Sequence, residues 1–248
     1  MEYLIVFLVS AFAAIMQAAV GFGFAVLFTP LLALALGARD AIALSLILSM
    51  SLSLVLYFAD RPRAPIRSVL PMFLAATVVT PIGTYVLAVA DERVLRICIG
   101  AAVLASVIGT YVSPHPAEER AERLPTTLGV GVISGIMRGA TGMGGPPVVI
   151  YEHWRGAATM AIRRRLLAYF ALTGVTGTAI AAASGYLAGK AVFTPDTVLH
   201  SLAGLPAVFI ALYGGRWIRP RLSDFWFRTL SMGVLVFTAA VSILGALR

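Results

Sequence analysis

The chain has 248 residues, 60% of them hydrophobic and only 12% charged, with a mean hydropathy of +0.93. A water-soluble domain carries about 25% charged residues, so an ordinary soluble globule is excluded. The formal net charge of +8 would suggest nucleic acid in a soluble protein, but here the arginines stand between apolar runs, where they set membrane orientation, and no nucleic-acid partner is expected.

Met1-Glu2 leads directly into an apolar stretch, without the basic flank and small-residue cleavage site of a secretory signal, so the first segment is read as mature structure. A helix needs about 20 residues to cross a hydrocarbon core. By apolar length and by charged or proline-bearing breaks, the predicted segments run Tyr3 to Leu36, Ala41 to Phe58, Ser68 to Ala90, Val94 to Val112, Thr126 to Tyr151, Leu166 to Ala188, Thr197 to Tyr213 and Phe225 to Leu247. The fold class that follows is an all-α polytopic membrane protein. Two segments are irregular. Tyr3 to Leu36 is too long for one comfortable crossing and is interrupted by Gly21-Phe22-Gly23; Thr126 to Tyr151 is interrupted by Gly142-Met143-Gly144-Gly145-Pro146-Pro147. Glycine favours a break and proline cannot donate a backbone hydrogen bond, so both read as discontinuous segments that turn within the protein.

Charge distribution selects the topology, because Lys and Arg of short loops gather on the cytoplasmic side. If each interrupted segment is a hairpin returning to its own side, twelve arginines (61, 63, 67, 120, 123, 155, 163, 164, 165, 216, 219 and 221) share one face. Five basic residues (Arg39, Arg93, Arg96, Lys190 and Arg248) share the other. Single crossings throughout give no such separation. The hairpin arrangement places a multi-pass protein in a bacterial inner membrane with both termini periplasmic. It divides the chain into residues 1–112, a polar cytoplasmic linker 113–125 and residues 126–248. Each half is a Gly-interrupted hairpin plus three transmembrane helices, and the halves are inverted. Inverted repeats with broken helices are the architecture of many secondary transporters, whose substrate sits at the midplane. Gln17-Ala-Ala-Val-Gly21-Phe-Gly23 aligns with Arg138-Gly-Ala-Thr-Gly142-Met-Gly144.

Arg138 is the most informative residue, because a charge well inside an apolar segment is costly unless paired or wet. A guanidinium carries five donors and suits the oxygens of an anion; the competing reading is a structural cation on carbonyls freed at the break. Pro146-Pro147 fits the first turn of a second half-helix, whose N-terminal amides at Gly144 and Gly145 favour negative charge. The candidate substrate-binding set is Arg138, Gly142, Gly144, Gly145, Gln17, Thr141, Gly21 and Gly23. Thr29 and Pro30 follow the first break. Packing or satisfying a kinked backbone competes with substrate contact for Gln17, Thr29 and Thr141. Gly131, Gly135 and Gly139, spaced by four, suit close helix packing better than a ligand role. Tyr151, Glu152, His153 and Trp154 end the second hairpin where aromatic anchors belong.

Asp and Glu occur only in or beside the predicted loops, which leaves coupling to a loop acid, a histidine or backbone carbonyls; H+ or Na+ would be the coupling ion. Cys98 is the only cysteine, and His115, His153 and His200 are dispersed, so neither a metal site nor a cofactor is expected. No G-x-S-x-G motif is present, and no enzymatic activity is expected. The expected partners are a small anionic substrate and the lipid bilayer, with room for a homo-oligomer. A passive anion channel and a non-transporting subunit of a membrane complex are the alternatives to a permease working by alternating access.

The two glycine motifs carry a family likeness. Gly21-Phe-Gly23 followed by Thr29-Pro30 and Leu36-Gly37, then Gly142 to Tyr151, then Ile162-Arg163-Arg164-Arg165-Leu166 leading into Leu167 to Phe170, resemble the sulfite exporter TauE/SafE family of membrane permeases. That family has a longer glycine run where this chain has Phe24 and Ala25. The resemblance spans nearly the whole chain and implies transport of sulfur-containing or carboxylate anions such as sulfite, sulfoacetate or related sulfonates.

Overall fold

A computed structural model describes residues 1–112 and 120–218. The predicted segment Phe225 to Leu247, most of the linker with His115, and Arg219, Arg221 and Arg248 lie outside the described residues. Every regular element among the described residues is helical. In chain order these are α1 (Glu2–Val20), α2 (Phe24–Leu36), α3 (Ala38–Ala59), a single 3-10 turn (Ile66–Ser68), α4 (Leu70–Val89), α5 (Glu92–Val112), α6 (Leu124–Thr141), α7 (Gly145–Arg155), α8 (Thr159–Leu187) and α9 (Pro195–Ile218). Five of them, α1, α3, α4, α8 and α9, are long and apolar enough to cross a membrane. This is a multi-pass membrane protein.

The outer helices divide their surfaces between a buried face and an outward face. On α1 the buried stripe is Val6, Ser10, Ala13, Ala14 and Gln17, while Leu4, Leu8 and Phe12 recur every four residues on the outward face. Outward residues on α4 follow the same spacing at Leu74, Val78 and Ile82. Large apolar side chains on an outer face are at home in lipid, so association has to come from close packing between small residues. That packing is visible between α4 and α6. A β-carbon on Gly131, Gly135 or Gly139 would run into the backbone of Met72, Ala76 or Thr80 respectively, and one on Gly83 would strike the Ile136 carbonyl. Positions spaced by four on α6 meet positions spaced by four on α4, so the two helices run parallel with their backbones in contact.

The tertiary pairing recurs with the halves exchanged. α4 lies along α6 and also packs on α8; α9 lies along α1 and also packs on α3; α3 and α8 pack on each other. α3 and α8 run antiparallel, since Arg163 near the start of α8 bonds Asp60 at the end of α3, whereas Thr178 donates to the Leu46 carbonyl at 3.1 Å.

The ends of the two interrupted segments identify them as hairpins. Glu2 and Tyr3 at the start of α1, Leu36 at the end of α2 and Asp40 at the start of α3 line one cavity together with Asp196 and His200 of α9. At the opposite end of the bundle, Tyr151 near the end of α7 is bonded to Thr127 near the start of α6 at 2.7 Å.

Several helices extend beyond the apolar segments read from sequence, as α7 does to Arg155 and α9 to Ile218, and the largest difference is at the start of α8. Leu166 is not the start of its helix: α8 begins at Thr159, and Arg163 to Arg165 are helical rather than loop. Buried partners make this tolerable. Arg163 Nη1 donates to Asp60 Oδ2 at 2.6 Å and Nη2 to the Ala18 carbonyl at 3.0 Å, while Arg165 Nε donates to Glu152 Oε1 at 2.9 Å. Glu152 is itself fully buried. Removing one member of a buried pair strands the other charge, which costs about 3–5 kcal/mol. Asp60→Asn is therefore expected to lower the unfolding temperature of the detergent-solubilised protein markedly; a temperature equal to wild type would show that the pair contributes nothing.

Candidate functional site

Both interrupted helices end in the same way. Gly21 and Gly142 adopt left-handed φ values of 94° and 75°, and their amides donate back to the carbonyls of Gln17 and Arg138 at 2.7 and 2.9 Å. A left-handed residue just past a helix end is glycine's usual place, because a β-carbon is penalised there. Gln17 and Arg138 thus occupy equivalent positions four residues before each turn, as the aligned motifs predict, and both are buried.

Their surroundings differ. Gln17 is satisfied at both ends of its amide: Nε2 donates to Ser53 Oγ of α3 at 3.0 Å, and Oε1 accepts the Phe24 amide of α2 at 3.3 Å. The side chain caps the second half-helix of its own hairpin. Arg163 fills the space beside Gly21, where an added β-carbon would lie 2.7 Å from Arg163 Cγ. Gly23 is left-handed at φ 109° with open space around it, and Thr29 is fully buried with its hydroxyl unpartnered.

Arg138 cannot accept a hydrogen bond, so it cannot cap α7 as Gln17 caps α2. Its side chain is 5% exposed, and neither Nε nor Nη2 has a hydrogen-bond partner among the described residues. No carboxylate among them lies within ion-pair distance. The guanidinium lies against α8 at Gly177, where a β-carbon would sit 2.9 Å from Arg138 Nε. Thr178, the next residue, bonds Leu46 in the middle of α3, so Arg138 sits at mid-height of the bundle.

The turn itself is tightly fixed. Thr141 Oγ1 donates to the Met137 carbonyl at 2.7 Å and accepts the Met143 amide at 3.2 Å, so its hydroxyl satisfies the broken backbone. Gly144 has no room for a side chain, because a β-carbon would meet Arg138 Cβ at 2.9 Å and the Ser134 carbonyl at 3.0 Å. Tyr169 donates to Ser134 Oγ at 2.7 Å, and Ser134 donates to the Gly144 carbonyl. In a planar trans peptide the N–H points opposite to the C=O. Anchoring the Gly144 carbonyl to α6 therefore turns the Gly145 amide away from α6. Neither the Gly144 nor the Gly145 amide has an acceptor among the described residues, and Pro146 and Pro147 begin α7 without donors to spare. Ser45 of α3, fully buried with an unpartnered hydroxyl, lies beside Gly142.

The structure thus gathers Arg138, Gly142, Gly144, Gly145 and Thr141 into one cluster and Gln17, Gly21 and Gly23 into another; no hydrogen bond joins the two among the described residues. Ser45, Ser134 and Tyr169 are additions the sequence reading lacked. No motif marks them, since a serine or tyrosine within an apolar helix is unremarkable until its neighbours are known. The Arg138 cluster presents a cation and two amide donors with no acceptor opposite them among the described residues. Such a site is complementary to an anion and to little else.

A family model described as Sulfite exporter TauE/SafE matches residues 6–242. Among curated proteins, the chain is similar to "Probable sulfite/organosulfonate exporter TauE" of Cupriavidus necator. The two are 26% identical over 153 residues, 62% of this chain and 57% of the relative's length.

Proposed function

Since this chain belongs to the sulfite exporter TauE/SafE family, we propose that it is a membrane permease moving a small oxyanion, sulfite or an organosulfonate, across the bacterial inner membrane. The observation that carries the proposal is the Arg138 guanidinium, buried at mid-height without a counter-charge among the described residues, on a helix turn whose Gly144 and Gly145 amides have no acceptor among them. Cargo oxygens would bridge Arg138 Nε and Nη2 to the amides of Gly144 and Gly145, with Ser45 at the edge of the site. Gly142 and Thr141 hold the turn in shape. Gln17, Gly21 and Gly23 form the equivalent turn in the first half, whose amide cap already occupies the place an anion would take.

The exchanged pairing of α4 with α6 and of α9 with α1 supports reading residues 1–112 and 126–248 as inverted repeats that alternate access around this site. The arginine-rich end then faces the cytoplasm and both termini the periplasm. The curated relative's printed name supports the cargo class, sulfite and organosulfonates.

Purified protein in liposomes tests the reading. Labelled sulfite and a labelled short alkylsulfonate are each expected to enter with a rate that saturates as concentration rises. A flux rising linearly without saturation would mark a channel, and no flux of either anion into anion-loaded or into empty liposomes would refute transport.

A further inference from the structure

We propose that the protein is an obligatory anion exchanger, returning across the membrane only with a second anion in the site; this rests on the permease reading of the Arg138 site. The ground is a contrast between buried guanidiniums. Arg155 and Arg163 are each 6% exposed, and each has a carboxylate partner, Glu152 and Asp60 respectively. Arg138 is as deeply buried at 5% exposed and has none among the described residues. Gln17, at the matching turn of the first half, is neutral. One positive charge at the centre of the bundle therefore lacks a neutralising partner among the described residues, and the mobile cargo supplies it.

A carrier passing between its two open states goes through an occluded state in which the site is cut off from water. With a singly charged anion, a sulfonate or hydrogen sulfite, on Arg138 and on the Gly144 and Gly145 amides, the occluded site is neutral overall and its donors are used. Without one, a bare guanidinium and two bare amides are dehydrated together. Burying an uncompensated charge is among the costliest events in a protein interior or bilayer. The loaded form crosses and the empty form does not. Outward movement of one anion is then matched by inward movement of another, and the incoming partner needs only the chemistry the site recognises: a small anion with acceptor oxygens to meet its donors.

Counterflow in proteoliposomes reads this directly. Vesicles contain potassium balanced either by unlabelled sulfite or by an impermeant polycarboxylate, in a buffer without sulfonate groups, with the membrane potential clamped by valinomycin and no other small anion present. Labelled sulfite is added outside. Uptake is expected to be roughly tenfold or more faster into sulfite-loaded vesicles, each tenfold being about 1.4 kcal/mol of barrier on the empty return. Arg138→Gln should be flat in both. Equal rates into loaded and sulfite-free vesicles would overturn obligatory exchange while leaving the permease reading standing. Absence of uptake in either, with folded wild-type protein, would remove the permease reading and this inference with it.

Discussion

Arg138→Gln is expected to abolish anion binding and transport while leaving the protein inserted and folded. The expectation follows from what Arg138 lacks: with no acceptor on Nε or Nη2 and no carboxylate nearby among the described residues, it gives the fold little that glutamine would take away. Relieving an uncompensated buried charge should even raise stability in the absence of cargo. Hydrogen bonds to charged groups contribute about 1.5–3 kcal/mol each, so losing two corresponds to roughly a hundredfold or greater fall in affinity. Arg138→Lys should rescue poorly, because an ammonium cannot present the two-donor fork. Gly177→Ala should produce a partial loss by pushing a methyl group against Arg138 Nε. Equilibrium binding of labelled sulfite, with size-exclusion profiles of each variant, checks all three. Wild-type affinity in Arg138→Gln would remove Arg138 from the mechanism.

Gly135→Leu is expected to have the largest effect on folding. Its β-carbon would fall on the Ala76 carbonyl, within 2.8 Å of Ala76 Cα and Val79 Cγ2, and no rotamer change can move a backbone. α4 and α6 would have to separate along the whole seam from Gly131 to Gly139, at a cost above about 3 kcal/mol. The natural control is Gly129→Leu, six residues earlier on the same helix, where a β-carbon meets nothing within 4 Å. Folded yield after detergent extraction should collapse for Gly135→Leu and stay near wild type for Gly129→Leu. Equal yields would contradict a backbone-to-backbone contact between α4 and α6.

These two residues also mark what could be read from sequence. The four-residue spacing of Gly131, Gly135 and Gly139 announces a close helix contact, because small residues at that interval line one face; the partner, α4, is not announced, since Met72, Ala76 and Thr80 carry no common chemistry. The interruptions at Gly21 and Gly142 are legible because glycine before a resumed apolar run has few other uses in a membrane helix. The equivalence of Gln17 and Arg138 is legible too, being fixed by their distance from those glycines. Hydropathy fails where charge is buried in pairs. Arg163 and Glu152 lower the apolar score of their segments, so α8 is read as starting at Leu166, although Asp60 and the Ala18 carbonyl let the helix begin at Thr159. Those partners come from far along the chain, and nothing local reveals them. The same is true of Tyr169 and Ser134, whose bond to the Gly144 carbonyl aims the Gly145 amide. Gln17's engagement with Ser53 and Phe24 is equally silent in sequence, yet it separates a turn whose side-chain amide is bonded at both ends from one whose guanidinium Nε and Nη2 have no partner among the described residues.

The most direct measurement is an experimental structure of the protein with an alkylsulfonate bound. Sulfonate oxygens are expected about 2.7–3.2 Å from Arg138 Nε and Nη2 and from at least one of the Gly144 and Gly145 amides. A guanidinium bonded instead to the protein's own carbonyls, with the sulfonate held elsewhere, would contradict the account.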